Sequence, residues 1–208
     1  MFITVEGIDG CGKTTQLELL AEWLREQGEE PVLTREPGGT WLSEEIRRLL
    51  LRPGPEPVSA VAELLLYAAA RAEHVARVIR PALAAGRLVL ADRYSDSTLA
   101  YQVAGRGLER SWAEAVLAGA TGGLRPDLTF LFDLAPEQAL ARAARADRLE
   151  QEDLAFFERV RAGYLAIARA EPERVVVIDS NGPVAAIQAQ VRRLVAARLA
   201  QARREGDR

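Results

Sequence analysis

The residues with the plainest chemistry stand near the start of the chain. Gly7-Ile8-Asp9-Gly10-Cys11-Gly12-Lys13-Thr14 fits the spacing G-x-x-x-x-G-K-[ST], a loop whose backbone N–H groups converge on polyphosphate. The apolar run Phe2 to Val5 precedes it as a strand. Thr15 to Gln27 follows with Leu17, Leu20, Ala21 and Leu24 on one helical face. A helix starting there adds positive potential at the anion site. Lys13 is expected on the β- and γ-phosphates of a nucleotide and the Thr14 hydroxyl on Mg²⁺. Lys13 is also the only lysine among 27 Lys plus Arg. Arginine has replaced it everywhere except where a compact ammonium on a flexible stem is needed.

Further candidates sit where apolar runs end. Pro31 to Thr34 reads as a strand that delivers Arg35 and Glu36 to a turn forced by Pro37-Gly38-Gly39. Leu88 to Ala91 delivers Asp92-Arg93-Tyr94. Asp92 is placed to hold Mg²⁺, while Arg35 and Arg93 offer forks suited to a monophosphate. Tyr67 and Arg71 are four apart on one helix, hence adjacent.

The elements that must position these residues alternate. Leu128 to Leu134 and Val175 to Ile178 are the fourth and fifth strands. Helices are expected over 15–27, 41–51, 58–85, around 96–104 and 110–119, from 136, over 156–170, and from 183 to about 202, ahead of a frayed polar tail. Five continuous apolar strands separated by helices imply an α/β fold, a parallel sheet covered on both faces. The strand carboxyl ends are where such sheets bind ligands. Residues 1–208 are expected to form a single domain, with a charged lid at about 142–150. The first half of the 58–85 helix is apolar nearly all round, which calls for a second covering surface.

Composition narrows the function. A net charge of −3 argues against a broad basic face for nucleic acid. One cysteine excludes an internal disulfide and any Cys/His zinc cluster. No signal peptide is expected ahead of the first strand. The apolar run at 58–70 is short and contains Glu63, so no membrane span is expected. A cytoplasmic enzyme is the expectation.

Taken in order, these motifs resemble the thymidylate kinase family, nucleoside monophosphate kinases that phosphorylate dTMP. The resemblance rests on Glu6-Gly7-Ile8-Asp9-Gly10, Arg35-Glu36-Pro37-Gly38-Gly39-Thr40, Tyr67 with Arg71, Asp92-Arg93-Tyr94 with Ser97 and Ala100-Tyr101-Gln102, and Asp147-Arg148-Leu149-Glu150. It implies a P-loop NTPase fold, ATP as co-substrate, Mg²⁺ held by Thr14 and Asp92, and a homodimer. It implies ATP bound by residues 7–14 and dTMP bound among Asp9, Arg35, Glu36, Tyr67, Arg71, Arg93, Ser97, Thr98 and Tyr101. Tyr67 would stack on thymine and Arg71 bond its edge. Ser97 and Thr98 would read the pyrimidine, Tyr101 exclude a ribose 2′-OH, and Asp9 bond the 3′-OH. Some members carry a catalytic Arg inside the P-loop. Gly10 stands there here, so Arg145 and Arg148, with Arg142 just before them, are the lid arginines expected to join Lys13 and Arg93 in catalysis.

Three other readings compete. A deoxynucleoside kinase shares the P-loop and a strand-end Arg but needs a carboxylate base rather than extra arginines for an acceptor phosphate. Another pyrimidine nucleoside monophosphate kinase would differ only in the base it reads. A GTPase switch needs N-K-x-D, which a chain with Lys13 alone cannot contain. Among the remaining residues, His74 reads as a helix-surface side chain, and Trp23, Trp41 and Trp112 read as packing. Cys11 reads as a small side chain fitting its loop, although Lys13 and the helix N-terminus beside it would favour a thiolate.

Overall fold

A computed structural model of the chain describes residues 1–142 and 147–206. Its strands are β1 (Phe2–Glu6), β2 (Val32–Arg35), β3 (Val89–Asp92), β4 (Leu128–Asp133) and β5 (Val175–Asp179). They form one sheet in the order β2-β3-β1-β4-β5 with every pairing parallel. Central β1 is buried along its whole length. Its alternate side chains feed opposite faces: Ile3 and Val5 pack with Leu17, Leu20 and Leu24 beneath, whereas Phe2 packs with Val75, Ile79 and Val89 above.

The helices are α1 (Lys13–Glu26), α2 (Trp41–Leu51), α3 (Ala60–His74), α4 (Arg80–Ala84), α5 (Ser95–Thr98), α6 (Arg110–Thr121), α7 (Pro136–Arg142), α8 (Leu154–Ala170) and α9 (Val184–Gly206). Local chemistry sets several starts. Thr40, Ser59 and Asp153 each accept a backbone N–H of the turn they open, capping α2, α3 and α8; such a cap contributes about 1 kcal/mol. The single helix expected over 58–85 is instead α3 and α4 joined by a π-helical segment, Val75–Ile79. A second π-helical segment, Leu99–Gly105, continues α5 and carries Tyr101 and Gln102. Such wide turns collect at functional sites. The last helix runs to Gly206, past the expected fraying point. Among the described residues no helix is long and apolar enough to cross a membrane.

Two packing expectations fail. Trp41, in the first turn of α2, is 76 % exposed, so it is not a core ring. His74 lies on the inner side of α3 and is fully buried, because Gly39 packs against its ring where any Cβ would come within 3 Å.

Candidate active site

The carboxyl ends of β1 and β3 hold the site, since the chain leaves β1 toward one side of the sheet and later returns to the other. After β1 the backbone folds tightly back. Gly7, at φ 140°, approaches Phe132 so closely that a Cβ would lie 2.6 Å from its carbonyl oxygen. Gly12 takes φ 89° at the start of α1, a conformation glycine adopts without a Cβ penalty. Lys13, 6 % exposed, donates to Asp9 Oδ1 at 3.2 Å and Ile8 O at 3.4 Å. The free N–H groups of the α1 start and the Lys13 charge meet at one point, as an anion requires.

Thr14 Oγ1 donates to Asp92 Oδ2 at 2.6 Å, so the end of β3 reaches the P-loop. The other oxygen, Asp92 Oδ1, is buried without a hydrogen-bond partner. A buried lone pair of this kind is costly unless something occupies it. No group of three or more metal-ligating side chains exists among the described residues. One carboxylate and one hydroxyl beside a phosphate cradle nevertheless fit Mg²⁺, which keeps most of its water and takes phosphate oxygens.

Arg93 is the hub. It is the only non-glycine residue with positive φ among those described, at 72°, a strain that neighbouring structure must hold. Its Nη2 donates to Asp9 Oδ1 at 2.8 Å and Tyr101 Oη at 3.3 Å, and its Nη1 to Ser97 Oγ and Tyr164 Oη, both at 3.1 Å. Burial alone would raise the Asp9 carboxyl, but the Arg93 and Lys13 charges outweigh it and hold Asp9 well below the ordinary carboxylate range. Behind Arg93 lies Glu6, fully buried. It accepts from Ser97 Oγ at 2.6 Å, the Tyr94 amide at 2.7 Å and Tyr164 Oη at 2.9 Å. Burial pushes the Glu6 carboxyl up to about 7, with Asp96 adding to the push and Arg93 opposing it.

A pocket opens beside Arg93. Its wall includes Asp9, Glu36, Tyr67, Arg71, Ser97, Thr98 and Tyr101, so the structure gathers all but one of the expected acceptor residues. Arg71, 2 % exposed, is fixed on every side: Nε to Glu36 Oε2 at 2.7 Å, Nη1 to Thr98 Oγ1 at 2.9 Å and Nη2 to Tyr94 O at 2.9 Å. His74 supports it from behind, with Nδ1 2.9 Å from Glu36 Oε1 and Nε2 2.7 Å from Thr34 Oγ1. Its place was missed because a lone His on an apolar helix gives no sign of which side faces in.

The exception is Arg35. It is 47 % exposed along its side chain, pairs with both Glu44 oxygens at 3.1 Å, and lines a neighbouring hollow with Thr14 and Asp92. Arg47, which sequence reasoning passed over, takes the place in the acceptor pocket and donates to Pro37 O at 3.1 Å. No local pattern in the sequence singles it out. Arg148 does not stand free either: it is bonded to Glu63 and to the Leu50 carbonyl. Arg142 ends α7, exposed. Arg145 lies outside the described residues. Cys11 is 2 % exposed, and burial pushes its thiol up against the pull of Lys13. The thiolate expectation therefore fails, and the small side chain simply fills the loop.

A P-loop at the edge of a parallel sheet, joined through an Asp–Arg pair to a second pocket, defines a P-loop kinase of small molecules. Comparison with known proteins narrows the class. The sequence pattern described as thymidylate kinase matches residues 5–191. A thymidylate kinase of Synechococcus sp. (strain JA-3-3Ab) is 54 % identical over 199 residues, covering 96 % of this chain and 97 % of the relative. One of Pseudomonas putida (strain W619) is 56 % identical, covering 90 % and 92 %. The crystal structure of thymidylate kinase from Ehrlichia chaffeensis superposes with a TM-score of 0.79 at 36 % identity, covering 94 % of this chain and 98 % of that one. The chain belongs to the thymidylate kinase family.

Proposed function

We infer the division of labour in the site from its geometry and from family membership. As a member of its family the protein is a kinase that transfers the γ-phosphoryl group of ATP to dTMP, giving ADP and dTDP. The deoxynucleoside-kinase alternative is not favoured. The observation that carries the assignment of roles is the Arg93–Asp9 pair, which joins the donor loop to the acceptor pocket.

Residues 7–14 hold the donor phosphates, with Lys13 on the β- and γ-oxygens. Thr14 and Asp92 would hold Mg²⁺, which when bound would neutralise charge on the phosphate oxygens. Arg93 and Arg47 turn the dTMP phosphate so that one of its oxygens faces the γ-phosphorus. That oxygen forms the new P–O bond as the bond to the β-phosphate bridge breaks and ADP leaves. Such in-line transfer depends on positioning and on nearby cations rather than on covalent help. Tyr67 offers a ring face to thymine, while Arg71, Ser97 and Thr98 read its edge. Asp9 takes the 3′-OH and the Tyr101 ring blocks a 2′-OH. Arg145 is the lid arginine assigned to the γ-phosphate.

We also propose that residues 1–208 act as one nucleoside monophosphate kinase domain with a lid at about 142–150, since all the placed site residues border one sheet edge. A homodimer and a cytoplasmic location complete the proposal. Val61 and Leu65, each 47 % exposed on α3, support the first, and the pool of ATP and dTMP the second. Incubation with ATP and dTMP should yield ADP and dTDP in equal amounts. ADP released without matching dTDP would overturn the assignment.

A further inference from the structure

Glu63 is the one carboxylate in the apolar half of α3, and it is fully buried. Four donors close on it. Gln102 Nε2 and Arg106 Nε reach Oε1 at 3.0 and 3.1 Å, Arg106 Nη2 reaches Oε2 at 3.3 Å, and Arg148 Nη2 also bonds Oε2. Burial alone would raise this carboxyl; the bonds from Arg106, Gln102 and Arg148 hold it below its ordinary value. Arg148 is tied twice more at the end of α2, through Nε to Leu50 O at 3.0 Å and through its amide to Leu51 O at 2.9 Å. All of these bonds run between protein groups.

The residues on either side of Arg148 are the informative ones. Asp147 and Leu149 both line the acceptor pocket, as do Gln102 and Leu51, while Glu63 and Arg148 do not. Three pieces of the pocket wall, from α2, from the π-helical segment and from the 147–149 stretch, are thus pinned to one buried carboxylate. Tyr67 sits one turn further along the same helix. We propose that Glu63 and Arg148 are positioning residues that hold the wall of the dTMP subsite, and that Arg148 serves there rather than at the transferred phosphate. The proposal rests on the reading of this pocket as the dTMP subsite. A buried charge held by several bonds is costly to disturb from one side only, which explains how a residue outside the pocket can govern its shape.

Steady-state kinetics with both substrates separates positioning from catalysis. Glu63→Gln keeps the shape and removes the charge; Arg148→Ala removes the other partner, whose side chain is 15 % exposed. Each should raise KM for dTMP about tenfold or more. KM for ATP should not move, and kcat at saturating dTMP should stay within about threefold of the parent. The double variant should cost little more than the worse single one, as expected for partners. A fall in kcat of about a hundredfold with KM for dTMP unchanged would place Arg148 on the γ-phosphate and overturn the proposal. Equal loss of activity toward both substrates, tracking a lower melting temperature, would reduce Glu63 to a structural charge and overturn it equally. Should the parent show no dTMP turnover, the reading of the pocket fails, an outcome distinct from either.

Discussion

Arg93 Nη2 lies 2.8 Å from Asp9 Oδ1, so an ion pair spans the end of β3 and the P-loop. Arg93 is held in a left-handed backbone conformation that costs about 1–3 kcal/mol, and four side chains grip its guanidinium. Lysine cannot reproduce that planar fork. Arg93→Lys should therefore lower kcat by about a hundredfold and raise KM for dTMP. Initial rates at saturating ATP check this; a variant within about threefold of the parent would remove Arg93 from the reaction.

Glu6 predicts a pH dependence. Its folded-state value of about 7 lies above its ordinary 4.5. The folded protein thus holds this proton more tightly than the unfolded chain does. The stability so gained is complete below the ordinary value and is lost as pH rises through about 7. Asp96, itself paired with Arg174, and Arg93 are the charges facing it. Glu6→Gln cannot titrate. The stability of the parent relative to this variant should fall between about pH 5 and about pH 8 in urea melts. A constant difference across that range would contradict the shift. Asp9 carries the opposite sign: its lowered value adds stability above its ordinary 3.8 that is lost as pH falls.

Asp92 offers a sharper test of the metal site. One of its oxygens is buried without a partner. Asp92→Asn should raise the Mg²⁺ concentration needed for half-maximal rate by about tenfold or more. In the absence of nucleotide it should be no less stable than the parent, because the charge shared by an oxygen buried without a partner has been removed. An unchanged Mg²⁺ requirement would move the metal elsewhere.

Tyr101 should set the sugar preference. Its ring packs edge-on to Phe156 and Tyr164 with centroids 6.0 and 6.3 Å away, and its hydroxyl reaches Asp9 Oδ2 at 3.4 Å. A ring so fixed cannot yield to a 2′-OH. Tyr101→Ala should narrow the dUMP to UMP ratio of kcat/KM by about tenfold; an unchanged ratio would take Tyr101 out of the sugar pocket.

The outer face of α3 predicts the oligomer. Val61 and Leu65 are too exposed for an otherwise apolar helix in water. Leu65→Arg should convert a dimer to a monomer in sedimentation at micromolar concentration. A parent protein that is already monomeric and fully active would contradict the proposed interface.

Much of this site was legible in the sequence because its motifs bind backbone to side chain at fixed spacing. The P-loop, Asp92-Arg93 and the Tyr67–Arg71 pair each follow from a strand end or a helical turn, and the structure brings them to one edge. What escaped depends on distances no local pattern carries. Arg35 and Arg47 exchange places because Glu44, nine residues from Arg35, captures it. His74 is buried because Gly39 happens to pack on it. Glu63 looked like a break in an apolar run, and only the fold shows that Gln102, Arg106 and Arg148 converge on it. Trp41 shows the converse, an aromatic ring left in solvent at a helix start.

The most direct test of the whole account compares acceptors. ADP formation from ATP should be followed with dTMP, thymidine, UMP or no acceptor under otherwise identical conditions. The account predicts turnover with dTMP, none with thymidine, which lacks the phosphate that Arg93 and Arg47 would hold, weak turnover at best with UMP, and negligible ADP without acceptor. Turnover of thymidine at a rate matching dTMP would contradict it, because the pocket beyond Arg93 would then be reading a sugar hydroxyl rather than a monophosphate.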